Sequence, residues 1–153
     1  MFHVTRGSNG EPALSCSYYN FTTGNWASSA PMVEGVESFQ LLFGTDGVTP
    51  STAPGAAGDS VAERWLRADQ LTVAGNAAAT RENWRRVRAV RVGLLIRGTA
   101  GSAQQSIATT YAPLGTLYAS AADTGSSLAV AADGRLRVQT AFTVHLRNDL
   151  SLR

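Results

Sequence analysis

The sequence contains no lysine, one cysteine and two histidines, and it has no long apolar run. All 13 basic residues are arginine; against 11 acidic residues they leave a net charge of +2, too small to attract anionic partners strongly. Cys16 has no partner for an internal disulfide, so it is interpreted as a small half-buried residue, or as half of a disulfide to a cysteine upstream of this chain. No stretch reaches the ~18 consecutive apolar residues that a membrane-spanning helix needs.

The scarcity of histidine and cysteine also limits the chemistry that can be predicted. His3, His145 and Cys16 show no metal-ligand spacing, so neither a metal site nor a cofactor is predicted. No glycine-flanked serine nucleophile and no phosphate-binding glycine motif occur. Glu34 and Glu37 lie three residues apart and are interpreted as surface carboxylates that point to opposite faces of a strand. The chain is therefore predicted not to be an enzyme, and no catalytic residue is assigned.

The abundant residues indicate a folded, β-rich chain. Hydrophobic residues make up 44% and charged residues 16%, a balance that allows a core and that disordered chains lack. Fifteen glycines, with frequent alanine, serine and threonine, favour turns over long helices. The sequence predicts one globular domain over residues 1–153, of the α+β class but mainly β, as an antiparallel β-sheet with short helical turns.

Three runs alternate with the period of two that a β-strand requires. Residues 36–43 carry apolar side chains on both sides, which predicts a strand that is buried or half-buried on both faces. Residues 87–97 predict a central strand whose even-numbered side meets the core, and residues 135–146 predict the last strand. The even-numbered apolar residues of the central strand are Val90, Val92, Leu94 and Ile96.

Two dipeptides predict β-hairpins, because glycine after asparagine or aspartate suits the tight turns that join antiparallel strands. Asn9-Gly10 is the first and Asp133-Gly134 is the second. The strands predicted on either side are 2–4 with 13–19 at the first turn, and 128–131 with 136–138 at the second.

The region between the first two long strands predicts a loop followed by helical segments. Residues 45–59 are rich in glycine, proline and alanine and predict an exposed, mobile loop. It opens as Thr45-Asp46-Gly47, like a calcium-binding loop, but proline, serine and alanine fill the positions of the later oxygen ligands, so no calcium is expected. Residues 62–71 predict a short helix, and residues 80–84 predict a helical turn with Thr80 as N-cap.

Two surface features are candidates for partner binding. A cluster of arginines beside a tryptophan favours a solvated face with salt bridges to neighbouring acids, and it leaves an interface with another subunit or with DNA as alternatives. A group of aromatic residues is the candidate for a carbohydrate-binding face. The first feature consists of Trp84, Arg85, Arg86, Arg88 and Arg91, and the second of Tyr18, Tyr19 and Trp26.

Three blocks of sequence follow one another in order. Residues 33–44 read V-E-G-V-E-S-F-Q-L-L-F-G, residues 84–97 read W-R-R-V-R-A-V-R-V-G-L-L-I-R, and residues 135–148 read R-L-R-V-Q-T-A-F-T-V-H-L-R-N. Together they resemble the C-terminal domain of the PilW family, minor pilins of type IV pili, and the resemblance extends over roughly the whole chain. The marker residues of the first block are Val33, Glu34, Gly35, Val36, Glu37, Phe39, Phe43 and Gly44.

The resemblance implies a structural role in assembly and no chemistry. It implies a pilin-like sheet domain that follows an N-terminal transmembrane helix outside this chain, with Met1 as an expression start or a cut site. The full protein would be anchored in the bacterial inner membrane, with this domain in the periplasm and later at the cell surface in the pilus. Its expected partners are other minor pilins, the major pilin and a tip adhesin, with no nucleic acid and no small-molecule substrate. A J-type minor pseudopilin of type II secretion, and an extracellular carbohydrate- or DNA-binding β-domain, are the alternatives.

Overall fold

The computed structural model of the protein describes residues 1–27, 31–55 and 58–146. These residues form eleven β-strands, one α-helix and two 3-10 helices, which confirms the predicted mainly β fold. The strands are β1 (Phe2–Arg6), β2 (Pro12–Cys16), β3 (Tyr18–Asn20), β4 (Asn25–Ala27), β5 (Pro31–Glu34), β6 (Val36–Thr45), β7 (Arg64–Leu66), β8 (Val87–Arg97), β9 (Thr109–Tyr111), β10 (Leu128–Val130) and β11 (Arg137–His145). The α-helix is α1 (Ala77–Arg85), and the 3-10 helices are Asp69–Leu71 and Thr116–Tyr118. The last two residues of the third sequence block, Arg147 and Asn148, lie outside the described residues.

The chain divides into two compact units. The first contains Met1–Gln40 and Gly93–Ala141, and the second contains Leu41–Val92 and the residues from Phe142 onward. The strands form a three-stranded sheet in the order β1-β2-β5, a four-stranded sheet in the order β11-β8-β6-β7, and the two-stranded pairs β3-β4 and β9-β10. That the chain is a single domain stays a prediction.

In the first unit, β1 and β2 form the hairpin that Asn9-Gly10 predicts. The strands are antiparallel, with Phe2 opposite Cys16 and Arg6 opposite Pro12. Gly10 has a φ of 78°, a backbone conformation that costs glycine little, which explains its place in this turn. The third strand, β5, then pairs with the outer side of β2.

The two central strands of the four-stranded sheet are antiparallel neighbours. Residues that flank the strands show the pairing. In the first unit a backbone hydrogen bond of 2.8 Å runs from Arg97 N to Gly35 O, and in the second unit one of 3.0 Å runs from Asp46 N to Arg86 O. Every residue of β6 is buried or half-buried, as the apolar side chains on both of its sides predict.

The prediction that the even-numbered side of β8 meets the core is wrong, because the odd-numbered side is the more deeply buried one. Val87 lies in a cluster of the second unit with Val48, Leu66 and Leu71. In the first unit, the backbone around Pro113 lies directly over Gly93, where a Cβ atom would come within 2.7 Å of the Pro113 carbonyl oxygen. The buried residues of β8 are Val87, Ala89, Gly93 and Leu95, whereas Val90, Val92, Leu94 and Ile96 are half-buried.

The helix predicted over residues 62–71 does not form. Instead β7 pairs with the end of β6, with Leu66 opposite Phe43, and only Asp69–Leu71 coils, as a 3-10 turn. Leu66 and Leu71 both reach the apolar cluster of the second unit in this arrangement, and such tertiary burial overrides a weak local preference for helix.

The second helical prediction is correct in place but too short. The helix α1 begins at Ala77, three residues before the predicted cap. Asn76 is the actual N-cap, because its side-chain oxygen accepts a bond of 3.0 Å from Ala79 N. Thr80 lies inside the helix, where its hydroxyl donates to the Asn76 carbonyl oxygen at 3.0 Å.

Two further predictions are corrected by pairing and burial. The strand β10 pairs with β9, with Leu128 opposite Tyr111, so Asp133-Gly134 does not close a hairpin between β10 and β11.

The loop after β6 is not wholly exposed, because Asp46 and Val48 are only 1% and 2% exposed. Turn signals and composition do not reveal these contacts, since both depend on residues far away in the sequence.

Candidate functional site

Charged residues from the three sequence blocks meet in the first unit. Glu37 comes from the first block, Arg97 ends the second, and Arg135 and Arg137 begin the third. Ion pairs join them to an acid in the β1–β2 turn and to one just before β11. We call these six residues the ion-pair network: Glu11, Glu37, Arg97, Asp133, Arg135 and Arg137. Because three carboxylates face three guanidinium groups, the network is neutral as a whole.

Glu37 and Arg137 form the most buried part of the network, with side chains 11% and 4% exposed. Arg137 donates to both Glu37 oxygens, from Nε at 2.6 Å and from Nη2 at 3.0 Å. The same guanidinium donates to both oxygens of Asp133, at 2.7 and 2.6 Å. Paired N–H···O bonds of this kind fix the side chains in direction as well as distance.

Glu11 connects the β1–β2 turn to the rest of the network. Its Oε2 accepts from Arg97 Nη2 at 2.6 Å, and its Oε1 accepts from Arg135 Nη2 at 3.0 Å. Arg97 also donates from Nη1 to Glu37 at 3.1 Å, and Arg135 donates from Nη1 to the Gly98 carbonyl oxygen at 3.0 Å. A single carboxylate in a turn is thereby held by the last residue of β8 and by a residue just before β11.

The network lowers the pKa of two of its acids, Glu11 and Asp133. Hydrogen bonds from Arg97, and then from Arg135, lower the pKa of the Glu11 carboxyl against the opposing effect of burial. The hydrogen bonds from Arg137 hold the pKa of Asp133 well below its usual range, and bonds to Asp133 and Glu37 raise the pKa of Arg137. An acid that is held ionised between guanidinium groups is suited to fixing structure rather than to transferring protons.

The interpretation of Glu34 and Glu37 as surface carboxylates is right for the first and wrong for the second. Glu34 is exposed, whereas Glu37 is mostly covered and paired with two arginines. Those arginines lie 60 and 100 residues away in the sequence, so no local pattern reveals the pairing.

The other marker residues of the first block shape strands and their packing. In the first unit, Gly35 turns the chain between β5 and β6 with a φ of 83°, Val36 is 1% exposed, and Phe39 lies against Phe2 with ring centroids 6.3 Å apart. Val33 lies on β5 and is exposed. In the second unit, Phe43 meets Trp84, and Gly44 leaves room for the ring of Trp65.

The arginine cluster is spread over separate partners within the second unit. Arg85 pairs with Glu82 at 3.5 Å, and Arg86 donates to the Gly55 carbonyl oxygen at 3.3 Å. Arg88 binds Asp46, and Arg91 lies over the ring of Trp65 at 4.5 Å from its centroid. Trp84 packs edge-on against Phe43 with ring centroids 4.9 Å apart. Arg85 and the neighbouring Glu82 form a salt bridge of the kind that the sequence favours. A role of these residues as an interface stays a prediction.

Asp46, which opens the calcium-like loop, is bound by protein groups. Its carboxylate accepts from Asp59 N at 3.1 Å, from Ser60 N at 2.8 Å and from Arg88 Nη2 at 3.2 Å. Gly58 lies so close that a side chain there would collide with this carboxylate. A guanidinium therefore neutralises the acid where a cation would otherwise be needed. Among residues 1–27, 31–55 and 58–146, no three His, Cys, Asp or Glu side chains group as metal ligands.

The three aromatic residues that the sequence suggests for a carbohydrate-binding face lie on the β3–β4 hairpin of the first unit. Tyr18, Tyr19 and Trp26 are 58%, 41% and 61% exposed. Phe21, which sequence reasoning did not single out, is 90% exposed in the turn between these strands and packs edge-on against Tyr19. The alternation of the strands could not reveal Phe21, because it lies in the turn.

The strand β11 is exposed along nearly its whole length. Among its nine residues only Arg137 is half-buried, and the others are exposed. Its even-numbered apolar side chains, with those of the two flanking residues, are about half exposed: Leu136, Val138, Phe142, Val144 and Leu146. The most regular alternation in the sequence therefore marks a strand whose apolar side is open to solvent in this chain.

The described features are a mainly β fold, a neutral, fully paired charge network and an open apolar edge strand. The family model described as type IV pilus-assembly protein W, PilW, matches residues 1–148. The chain belongs to the PilW family, as the three sequence blocks predict. It has a role in type IV pilus assembly, which implies interaction with other pilus components and association with the cell envelope or the pilus. Neither a search of curated proteins nor a search of solved structures found a significant match.

None of the helices in the described part of the chain has the length and apolar character needed to cross a bilayer. The anchor that the family resemblance implies stays a prediction.

Proposed function

We propose that this chain is the globular domain of a minor pilin that helps to prime type IV pilus assembly and takes part in the complex at the pilus tip. The open apolar side of β11 carries this proposal. Side chains such as Val138 and Phe142 are 56% and 48% exposed, and a run of such residues along one strand marks a contact surface. The family match favours a pilus over a type II secretion system as the place of that contact.

In this proposal the domain works through complementary surfaces and catalyses no reaction. The ion-pair network supports this view, because Glu37 is shielded by two guanidinium groups and is poorly placed to act as an acid or base. Partners bury the apolar side of β11, and those partners are other minor pilins, the major pilin or a tip adhesin. The full protein is held in the inner membrane by an N-terminal apolar helix, with this domain in the periplasm until it reaches the cell surface.

Immunogold labelling of sheared pili tests the tip assignment. An epitope tag inserted after Gly101, in an exposed turn, keeps the strands intact. We expect label at one end of a filament only, and sparse relative to the major pilin. Label along the whole filament would contradict a minor pilin, and pili without any label would contradict a place in the tip complex.

The coding sequence upstream of Met1 tests the anchor. We expect a short basic leader followed by an apolar helix with glutamate at its fifth mature position. Its absence would exclude a pilin-type anchor.

A further inference from the structure

The β3–β4 hairpin of the first unit forms a small structure of its own. Tyr19 lies opposite Trp26, and in the described part of the chain the two strands pair only with each other. The turn is fixed by Asn20, whose side-chain oxygen accepts from Thr22 N at 2.9 Å and from Thr23 N at 3.3 Å. An isolated two-stranded hairpin is marginally stable in water, so its cross-strand contacts matter for its shape.

Three aromatic rings are packed together on one side of this hairpin. The ring of Tyr19 lies 5.8 Å from that of Trp26 and 5.1 Å from that of Phe21, with interplanar angles of 72° and 82°. These edge-on contacts are favourable, and they hold the rings in place before any partner arrives. We call Tyr19, Phe21 and Trp26 the aromatic knob.

A role in stabilising the hairpin explains two of the three rings of the aromatic knob but not the third. The cross-strand pair of Tyr19 and Trp26 stabilises the ladder directly. Phe21 lies in the turn, and with 90% of its surface exposed it buries little area on folding. A large apolar ring that is fixed by its neighbour, yet open to water, is the kind of group that anchors a protein interface.

The composition of the hairpin favours an uncharged protein surface as the partner. Residues 17–27 contain no Asp, Glu, Lys, Arg or His, but they contain two tyrosines, a phenylalanine, a tryptophan, two asparagines and two threonines. The centres of protein interfaces are depleted in charge and rich in aromatic residues, and antibody-like binding loops combine rigid aromatics with small polar groups. A nucleic acid or an anionic surface would instead call for cationic side chains.

We propose that the aromatic knob docks into an apolar pocket on another protein subunit of the pilus, with Phe21 as the inserted residue. This inference rests on the proposed function, since that function supplies the partner. The contact is separate from the one on β11 and uses the hairpin alone.

Photo-crosslinking in pilus-forming cells tests the contact directly. The probe p-benzoylphenylalanine replaces Phe21 in one strain and Leu117 in a matched strain. Leu117 is a suitable control because it lies in the same unit, is 88% exposed and is not part of the aromatic knob. We expect an adduct from position 21 to another pilus subunit, identified by mass spectrometry, and none from position 117.

A second arm replaces Phe21→Ser and Leu117→Ser in a strain that lacks the chromosomal gene. Both positions are almost fully exposed, so both variants should unfold at the same denaturant concentration as the wild type. We expect Phe21→Ser to lose most of the pili that the wild-type gene restores and Leu117→Ser to restore them fully.

Several results would overturn the inference. They are no adduct from position 21, equal adducts from both positions, adducts with a lipid or a glycan in place of a pilus subunit, or full restoration of pili by Phe21→Ser. Binding of a neutral oligosaccharide array by the purified chain, lost in Phe21→Ser, would likewise identify a carbohydrate site instead. If deletion of the gene leaves pili unchanged, the proposed function fails; if deletion removes pili and only the position 21 results are negative, the docking inference alone fails.

Discussion

At the scale of single residues, Gly35 shows why a position of the first sequence block requires one particular amino acid. It lies between β5 and β6, where its amide donates to the Pro12 carbonyl oxygen at 2.7 Å and its own carbonyl accepts from Arg97 at 2.8 Å. A Cβ atom at this position would lie 2.6 Å from the Arg97 carbonyl oxygen. Glycine is therefore required both for its positive φ and for the close approach of β8.

Replacing Gly35→Ala should destabilise the protein more than replacing Gly10→Ala. Both glycines have positive φ, which costs an alanine about 1–2 kcal/mol, but only Gly35 also meets a neighbouring backbone, which adds about 1–3 kcal/mol. Urea denaturation of the two variants measures the difference. Equal losses of unfolding free energy would show that the approach of β8 does not constrain this residue.

Glu11 should make stability depend on acidic pH. Arg97 and Arg135 lower its pKa in the folded protein, so its contribution is present above the ordinary pKa of a glutamate and is lost as the pH falls through the lowered value. The unfolding free energy of the wild type should therefore decrease as the pH is lowered past about 5. The Glu11→Gln variant should be less stable at neutral pH, but its unfolding free energy should decrease less on acidification.

Glu34→Gln is the matched control for this experiment. Glu34 is exposed and its carboxylate accepts a hydrogen bond from the neutral side chain of Asn9 at 3.3 Å. Denaturation curves are measured at several pH values between neutral and acidic. The unfolding free energy of this variant should change with pH as much as that of the wild type. If the unfolding free energy of Glu11→Gln depends on pH as strongly as that of the wild type, the ionisation of Glu11 does not contribute to stability.

At the scale of elements, β11 combines two properties that usually exclude each other. Its sequence alternates as if one side met a core, yet that side is about half exposed in the folded chain. The strand also lies at the edge of its sheet, where a long apolar element invites contact with another chain. Both properties are explained if a partner covers the strand in the assembled pilus.

Adjacent residues of β11 allow a matched test of that explanation. Val144 lies on the apolar side and Thr143 on the other, and both are exposed. Val144→Asp should reduce the number of pili strongly, whereas Thr143→Asp should leave it close to wild type. Their unfolding free energies should differ by no more than about 1 kcal/mol, since both place the same residue on one exposed strand. Equal effects of the two changes on piliation would argue against a contact on the apolar side.

The elements also show where sequence patterns predict structure well and where they do not. The long strands β6, β8 and β11 alternate over enough residues to be found directly, and the Asn9-Gly10 turn fixes β1 and β2. Local signals fail over residues 62–71, where pairing with β6 turns a helical preference into the strand β7. They predict β10 but not its partner, because β9 has no alternation long enough to be recognised.

At the scale of the whole molecule, the candidate site is harder to predict than the fold. The sequence blocks predict the family, but not that Glu37, Arg97 and Arg137 meet, because contacts across 60 to 100 residues leave no local pattern. The arginines near Trp84 appear as one cluster in the sequence, yet in the folded chain they serve separate partners. Phe21 can be recognised as a candidate for partner binding only when its exposure and its contact with Tyr19 are known.

The number of pili on cells that lack this gene tests the central claim most directly. The family assignment and the open apolar strand predict few or no pili in the deletion strain, and normal numbers once the wild-type gene is restored. Electron microscopy gives the count, with the major pilin measured by immunoblot to show that it is still made. A deletion strain with a normal number of pili would contradict a role of this protein in pilus assembly.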